Sequence, residues 1–156
     1  MSKICIFDID GTLADIEHRL HHIKPTDGSK KKWGTFFYEA KNDKVYQHTK
    51  LINFLMHTSE VEIYLVTGRP DNLREDTQVW LMRNDIRYDH LLMRPAAERK
   101  PDYEVKKDLF NLHLADRKDD VICVFEDRLP VAKMWTELGL RVCVCGTEWL
   151  DKDWSN

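Results

Sequence analysis

The chain has no apolar run approaching the roughly 18 residues that cross a bilayer, and its start, MSKICIFDID, runs from an apolar stretch into carboxylates where a secretory leader would have its long apolar region. A membrane span is excluded, and a cytoplasmic location is expected. Cysteine is scarce. Cys5, Cys123, Cys143 and Cys145 each fall in a short apolar run and lack the CxxC pairing of a zinc site, so buried thiols are expected in place of disulfides. Cys143 and Cys145 share one face of a strand, which leaves a metal reading open. Charge is not one-sided either: 24 Lys and Arg against 27 Asp and Glu leave −3, without the global basic field of a non-specific duplex binder. Internal repeats, low-complexity tracts and linkers are missing.

What the chain does have is 156 residues, 42% hydrophobic and 33% charged, the size and composition of a single folded domain spanning residues 1–156. Five short apolar segments, residues 4–7, 61–66, 91–93, 121–125 and 142–145, lack polar alternation, as parallel strands buried on both faces do. Helical faces lie between them: His48, Leu51, Ile52 and Leu55; Leu73, Thr77, Trp80 and Leu81; Val105, Leu109 and Leu112; Val131, Met134, Trp135 and Leu138. Pro70, Pro101 and Pro130 stand near helix starts and Gly139 where a C-terminal cap would fall. The expected fold is α/β, a doubly wound Rossmann-like parallel sheet. About 50 residues beyond the needs of a crossover separate the first two strands, so a small helical cap is expected over residues 14–43. The tail, residues 151–156, is expected to be poorly ordered.

Ligands of an open parallel sheet bind beyond the carboxyl ends of its strands. There the chain places Asp8-Ile9-Asp10-Gly11-Thr12, Thr67-Gly68-Arg69-Pro70 and Glu126-Asp127-Arg128. Four carboxylates gathered on one edge repel each other unless protons or a cation intervene, which implies a hard divalent metal, Mg²⁺ where phosphate is the substrate. Asp8 and Asp10 flank a single residue on an ending strand, a spacing that suits a nucleophile and a general acid and base, although an arbitrary DxDG is also an ordinary turn.

With order and context added, the sequence resembles the haloacid dehalogenase superfamily of phosphotransferases, whose four motifs appear as Asp8-Ile9-Asp10-Gly11-Thr12, Thr67, Lys106 and Glu126-Asp127. The resemblance implies that Asp8 becomes an aspartyl-phosphate, Asp10 is the general acid and base, Thr67 holds a phosphoryl oxygen, Lys106 neutralises charge, and Asp8, Asp10, Asp127 and Glu126 form the Mg²⁺ site. The family usually has two aspartates where this chain has Glu126-Asp127, so Asp127 is the expected direct ligand and Glu126 stands behind it or acts through water. The presence of Asp10 argues against a dehalogenase, which has no leaving alkoxide to protonate. The likeness narrows to the 3′-phosphatase domain of phage-type polynucleotide kinases and their stand-alone relatives. Its marks are DGTLAD with His18-Arg19, Trp33 and Phe36, Val66-Thr67-Gly68-Arg69-Pro70, Leu91 to Pro95, Asp102 to Lys106 and Phe125-Glu126-Asp127-Arg128 before Met134-Trp135. It implies substrate-binding roles for Arg19, Gly68, Arg69 and Asp102, and a phosphorylated nucleotide or nucleic acid 3′ end as substrate. A Gly-rich P-loop ending in Gly-Lys-Ser/Thr is lacking, so no kinase half is expected. A nucleotidase acting on free nucleoside monophosphates, and a non-catalytic binding module on the same scaffold, remain the alternatives.

Residues 14–50 carry eight Lys or Arg against five Asp or Glu, a local excess of +3 that suits an anionic ligand. Lys30-Lys31-Lys32 with Trp33 reads either as a groove for single-stranded nucleic acid or as a solvated lysine run. Trp33, Phe36, Phe37 and Tyr38 read as a stacking platform or as the cap's own small core. His18, His21, His22, Arg94 and Arg128 read as phosphate contacts or as surface residues, and Trp80 and Trp135 as core.

Overall fold

The computed structural model describes residues 2–57 and 60–146. Strand β1 (Lys3–Phe7) enters the chain first and ends at the centre of the main sheet. After it come a two-residue strand β2 (Ala14–Asp15), helix α1 (Trp33–Tyr38), a second short strand β3 (Lys44–Val45) and helix α2 (Lys50–Met56). The rest alternates: β4 (Val61–Pro70), α3 (Arg74–Arg83), β5 (His90–Arg94), α4 (Asp102–His113), β6 (Val121–Glu126), α5 (Leu129–Glu137) and β7 (Val142–Val144). The five long strands pair in the order β5-β4-β1-β6-β7, all parallel. The chain leaves β1 toward β4 and later returns to its other side as β6, so the switch point of the topology, and the crevice it opens, lies at the end of β1.

The absence of polar alternation follows from helices on both faces. Ile4 and Ile6 of β1 pack with Val66, Val124, Phe110 and Trp135 beneath α4 and α5, while Cys5 and Phe7 pack with Ile63, Leu65, Ile52 and Trp80 beneath α2 and α3. Successive strand residues therefore point into opposite cores, both apolar. Phe7 and Phe125 stack across β1 and β6 with ring centroids 4.4 Å apart, which closes the second core just below the crevice.

Some expectations need correction. Leu112 is 76% exposed: α4 has run past the sheet by its last turn, and Leu114, just beyond the helix, fills the core instead. Leu51 is likewise exposed, and His48 sits in the 3₁₀ turn Gln47–Thr49 ahead of α2. Cys5 and Cys123 are buried as expected, but Cys143 is exposed because β7 is an edge strand, and Cys145 lies past its end. The insertion is helical only in part. A 3₁₀ turn (Glu17–His22), α1 and a second turn (Glu39–Asn42) are closed at the base by β2 and β3 pairing antiparallel, Ala14 with Val45 and Asp15 with Lys44, so the cap reaches slightly beyond residue 43. The expected disorder at residues 151–156 lies outside the described residues. Among those described, no helix is long and apolar enough to cross a membrane.

Candidate active site

Beyond β1 the backbone folds back on itself: the Ile9 carbonyl accepts from the amides of Thr12, Leu13 and Ala14 at 3.2, 2.9 and 2.9 Å. Gly11 sits in this turn at φ +84°, and a Cβ there would collide with the Asp127 carboxylate. The position thus requires glycine for its backbone and for close approach. Gly11→Ala is expected to cost about 1–3 kcal/mol in chemical denaturation through the left-handed φ, and to displace Asp127 as well.

Asp8, Glu126 and Asp127 each place a carboxylate oxygen within 4.8 Å of the others. One ammonium serves two of them and a neighbour: Lys106 Nζ donates to Asp8 Oδ1 at 2.7 Å and to Glu126 Oε2 at 2.8 Å, and lies 3.5 Å from Asp102 Oδ2. Burial and the Glu126 charge push Asp8 well above the usual carboxylate range, and the same two causes push Asp127 up to about 7. Burial works against the Lys106 charge, but Asp102, Asp8 and Glu126 outweigh it and hold the ammonium protonated. Asp127 Oδ1 is buried and has no hydrogen-bond partner among the described residues. Excess negative charge and an orphaned carboxylate oxygen are what a hard divalent cation would satisfy, so this residue set fits Mg²⁺. Glu126 is itself buried against Lys106, with a carboxylate oxygen in the same cluster.

Asp10 was expected among the metal ligands, but its side chain is not in that cluster. Its Oδ1 accepts instead from Arg19 Nη2 at 2.7 Å and from Arg69 Nε and Nη2 at 2.9 and 2.6 Å. Burial alone would raise this acid, but the Arg69 and Arg19 guanidiniums overcome it and bring Asp10 down to about 2. Two carboxylates two residues apart thus stand in opposite electrostatic settings.

Both arginines are fully buried, which residue type alone does not suggest. The reason is Asp43, whose Oδ1 accepts from Arg19 Nε at 2.7 Å and whose Oδ2 accepts from Arg19 Nη2 at 2.5 Å and Arg69 Nη2 at 3.1 Å. His18 Nε2 also lies 2.9 Å from Asp43 Oδ1. Arg19 lies over the Phe36 ring at 4.1 Å and donates to the Phe36 carbonyl. Trp80, buried as expected, also ties the core to this network: its Nε1 donates to the Asp43 carbonyl at 2.9 Å, and Arg69 lies over its ring.

Thr67 is buried in the last half of β4, where its Oγ1 accepts from the Arg69 amide at 3.1 Å. The β4–β5 register shifts between Thr67 and Pro70, as a bulge does when it re-aims a side chain. Gly68 lies against Asp102, whose carboxylate would collide with any Cβ there, and its carbonyl accepts from Arg94 Nε at 3.0 Å. Asp102 opens α4 four residues before Lys106, one turn away, and is 3.4 Å from Arg94 Nη2. Arg128 is half exposed, 3.9 Å from Asp102. The structure therefore gathers Asp8, Lys106, Glu126, Asp127 and Asp102 in one group and Asp10, Arg19 and Arg69 in an adjoining one.

Sequence reasoning missed Asp43 and Thr12, whose hydroxyl donates to Asp8 Oδ2 at 3.3 Å. Thr12 belongs to the DGT turn and could have been read from it. Asp43 stands between Asn42 and Lys44 like any surface acid, and nothing local marks it. An open depression of about 560 Å³ near Gln78, Met82 and Tyr88 holds none of these groups, lying where α3 has run back from the site edge.

The model of the polynucleotide kinase PNKP phosphatase domain matches residues 2–147. A protein of Autographa californica nuclear polyhedrosis virus, provisionally named a bifunctional polynucleotide kinase/RNA ligase, is 30% identical over 142 residues, which cover 87% of this chain and 18% of that protein. A chain in the solved Pnkp1/Rnl/Hen1 complex superposes with a TM-score of 0.74 at 25% identity, covering 92% of this chain and 45% of its own. The L-2-haloacid dehalogenase of Xanthobacter autotrophicus shares the fold with a TM-score of 0.63 at 12% identity, over 92% of this chain and 77% of its own. The chain thus spans about a fifth of the viral relative and under half of the complex subunit.

Proposed function

The chain belongs to the polynucleotide kinase PNKP phosphatase domain family, phosphoric monoester hydrolases on the haloacid dehalogenase fold, and from that premise we propose a Mg²⁺-dependent phosphomonoesterase that removes a 3′-phosphate from nucleic acid ends or nucleotides through an aspartyl-phosphate. The observation that carries the reading is the contrast between Asp8 and Asp10. Asp8 shares Lys106 with two other acids, and Asp10 is gripped by two guanidiniums. Environments that push two neighbouring acids apart assign them different roles.

Asp8 attacks phosphorus, the ester oxygen leaves, and Asp10 gives that oxygen its proton. Water then attacks the phosphorus, Asp10 takes the water's proton, and the bond to Asp8 breaks to release phosphate. The incoming phosphoryl dianion offsets the charge of Arg19 and Arg69, and so allows Asp10 to carry a proton. Lys106 and the Thr67 hydroxyl meet charge on the phosphoryl oxygens. Asp8, Asp127 and Glu126 would hold Mg²⁺, which when bound neutralises the phosphoryl oxygens and the surplus carboxylate charge. Asp102 fixes Lys106, and Gly68 keeps room for it.

A cap this small covers less of a site than a large lid would, which favours a polymer end over a small enclosed substrate. The free thiols suit the reducing cytoplasm. Hydrolysis of a 3′-phosphorylated oligonucleotide is expected to exceed that of 3′- and 5′-nucleoside monophosphates, with released phosphate as the readout. The reverse ranking would make the protein a nucleotidase. Inertness toward every substrate in that panel would leave a binding module.

A further inference from the structure

Arg19 and Arg69 are committed to Asp10 and Asp43, so a strand extending from the reacting phosphate must be held by other side chains. The cap offers them. Phe36, 3% exposed, anchors α1 beneath Arg19, whereas Trp33, one turn earlier, keeps 46% of its surface in solvent. About half of the Trp33 surface is therefore left for a ligand. Its ring meets Phe36 edge-on at 5.8 Å and stacks on Phe37 at 5.9 Å, four residues on. Placed end to end, the 4.1 Å from Arg19 to Phe36 and the 5.8 Å from Phe36 to Trp33 bound the distance between the site's guanidinium and the exposed ring. Lys31 Nζ lies 5.8 Å over that ring. Lys30, Lys31 and Lys32 are all exposed, and none lies within ion-pair distance of a described carboxylate. With +3 in residues 14–50 and −3 overall, the remainder of the chain carries −6, so an anionic strand is drawn to this face and repelled elsewhere.

We infer that Trp33 and Lys30-Lys31-Lys32 form a docking surface for the single-stranded nucleic acid immediately behind the 3′-phosphate, Trp33 stacking on a base and the lysines tracking its phosphates. The inference rests on the 3′-end reading and gives it a strand-binding surface. The alternative occupant, an acidic protein, would use the lysines but gain nothing from base stacking.

The test uses the full chain with a 3′-phosphorylated decamer, in DNA and RNA forms, and with p-nitrophenyl phosphate. Binding is followed by anisotropy of a labelled decamer on Asp8→Asn protein carrying the cap substitutions. Trp33→Ala is expected to weaken decamer binding about tenfold, the scale of one lost base stack. Replacing the three lysines with Ala is expected to lower the slope of log affinity against log salt by about 2. In the otherwise wild-type protein, both variants lower the ratio of decamer to p-nitrophenyl phosphate turnover. Lys107→Ala, which removes an exposed cation of α4, controls for net charge and leaves that ratio unchanged. Unchanged decamer binding in both cap variants, or a proportional loss on both substrates, overturns the docking surface. Wild-type protein that hydrolyses p-nitrophenyl phosphate but neither binds nor cleaves the decamer overturns the 3′-end reading itself.

Discussion

Asp8→Asn is expected to abolish hydrolysis of both p-nitrophenyl phosphate and 3′-phosphorylated oligonucleotides, by about 10⁴-fold or more, with the fold retained. The substitution is nearly isosteric, but an amide is no nucleophile toward phosphorus and cannot accept the phosphoryl group. Stability is expected to move the other way. Asp8 is a buried acid pushed well above the usual range by burial and by Glu126, so replacing it removes one of the three carboxylates, Asp8, Glu126 and Asp102, that share the Lys106 ammonium. The variant is therefore expected to melt no lower than wild type in metal-free buffer. Wild-type activity is expected to vanish in EDTA and return with Mg²⁺, while Asp8→Asn stays inert in both. Turnover by Asp8→Asn within tenfold of wild type would remove the nucleophile from this reading, and full activity of wild type in EDTA would remove the metal.

Which parts of this could be read in the sequence follows from how local each signal is. Residues 4–7 and 121–125 announce strands because both faces of β1 and β6 are covered, and that requirement is written into consecutive apolar residues. The convergence of Asp8, Thr67 and Glu126-Asp127 was legible because parallel strands deliver their carboxyl ends to one edge, so strand order alone brings distant acids together. Orientation beyond the strand end was not legible. Arg19 and Arg69 read as substrate-binding residues, but their burial onto Asp10 depends on the backbone shift near Thr67 and on the fold of the cap, which no local pattern shows. Asp10 read as the general acid and base and as one of the acids for the cation; the two guanidiniums on its side chain were not legible. The extension of β4 through Pro70 escaped notice for a related reason: Gly68 and Arg69 have no strand propensity, and they are extended because pairing with β5 resumes at Pro70 and Arg94.

Asp43 is the residue that tertiary structure alone reveals, and its removal is expected to produce the largest combined loss of stability and activity outside the acidic cluster. In Asp43→Ala, Arg19 and Arg69 remain buried with Asp10 as their shared carboxylate, and Arg19 forfeits partners at 2.7 and 2.5 Å. Breaking a buried ion pair from one side costs about 3–5 kcal/mol, because the uncompensated charge stays behind. For a domain of this length that corresponds to a melting point lower by roughly 10 °C. The catalytic consequence is indirect. Asp43 touches neither the acidic cluster nor Asp10; it holds the two guanidiniums that orient Asp10, so kcat is expected to fall by about 10²-fold, the scale of a misplaced general acid, with KM for p-nitrophenyl phosphate little changed. Asp43→Asn keeps the shape and some of the acceptors while losing the charge, and is expected to fall between wild type and Asp43→Ala in both measurements. Arg19→Lys, which cannot span Asp10 and Asp43 with one planar fork, is expected to lose kcat in the same way. Urea denaturation alongside separate kcat and KM values decides the point. An Asp43→Ala protein with wild-type denaturation midpoint and wild-type kcat would mean that the guanidiniums need no such anchor.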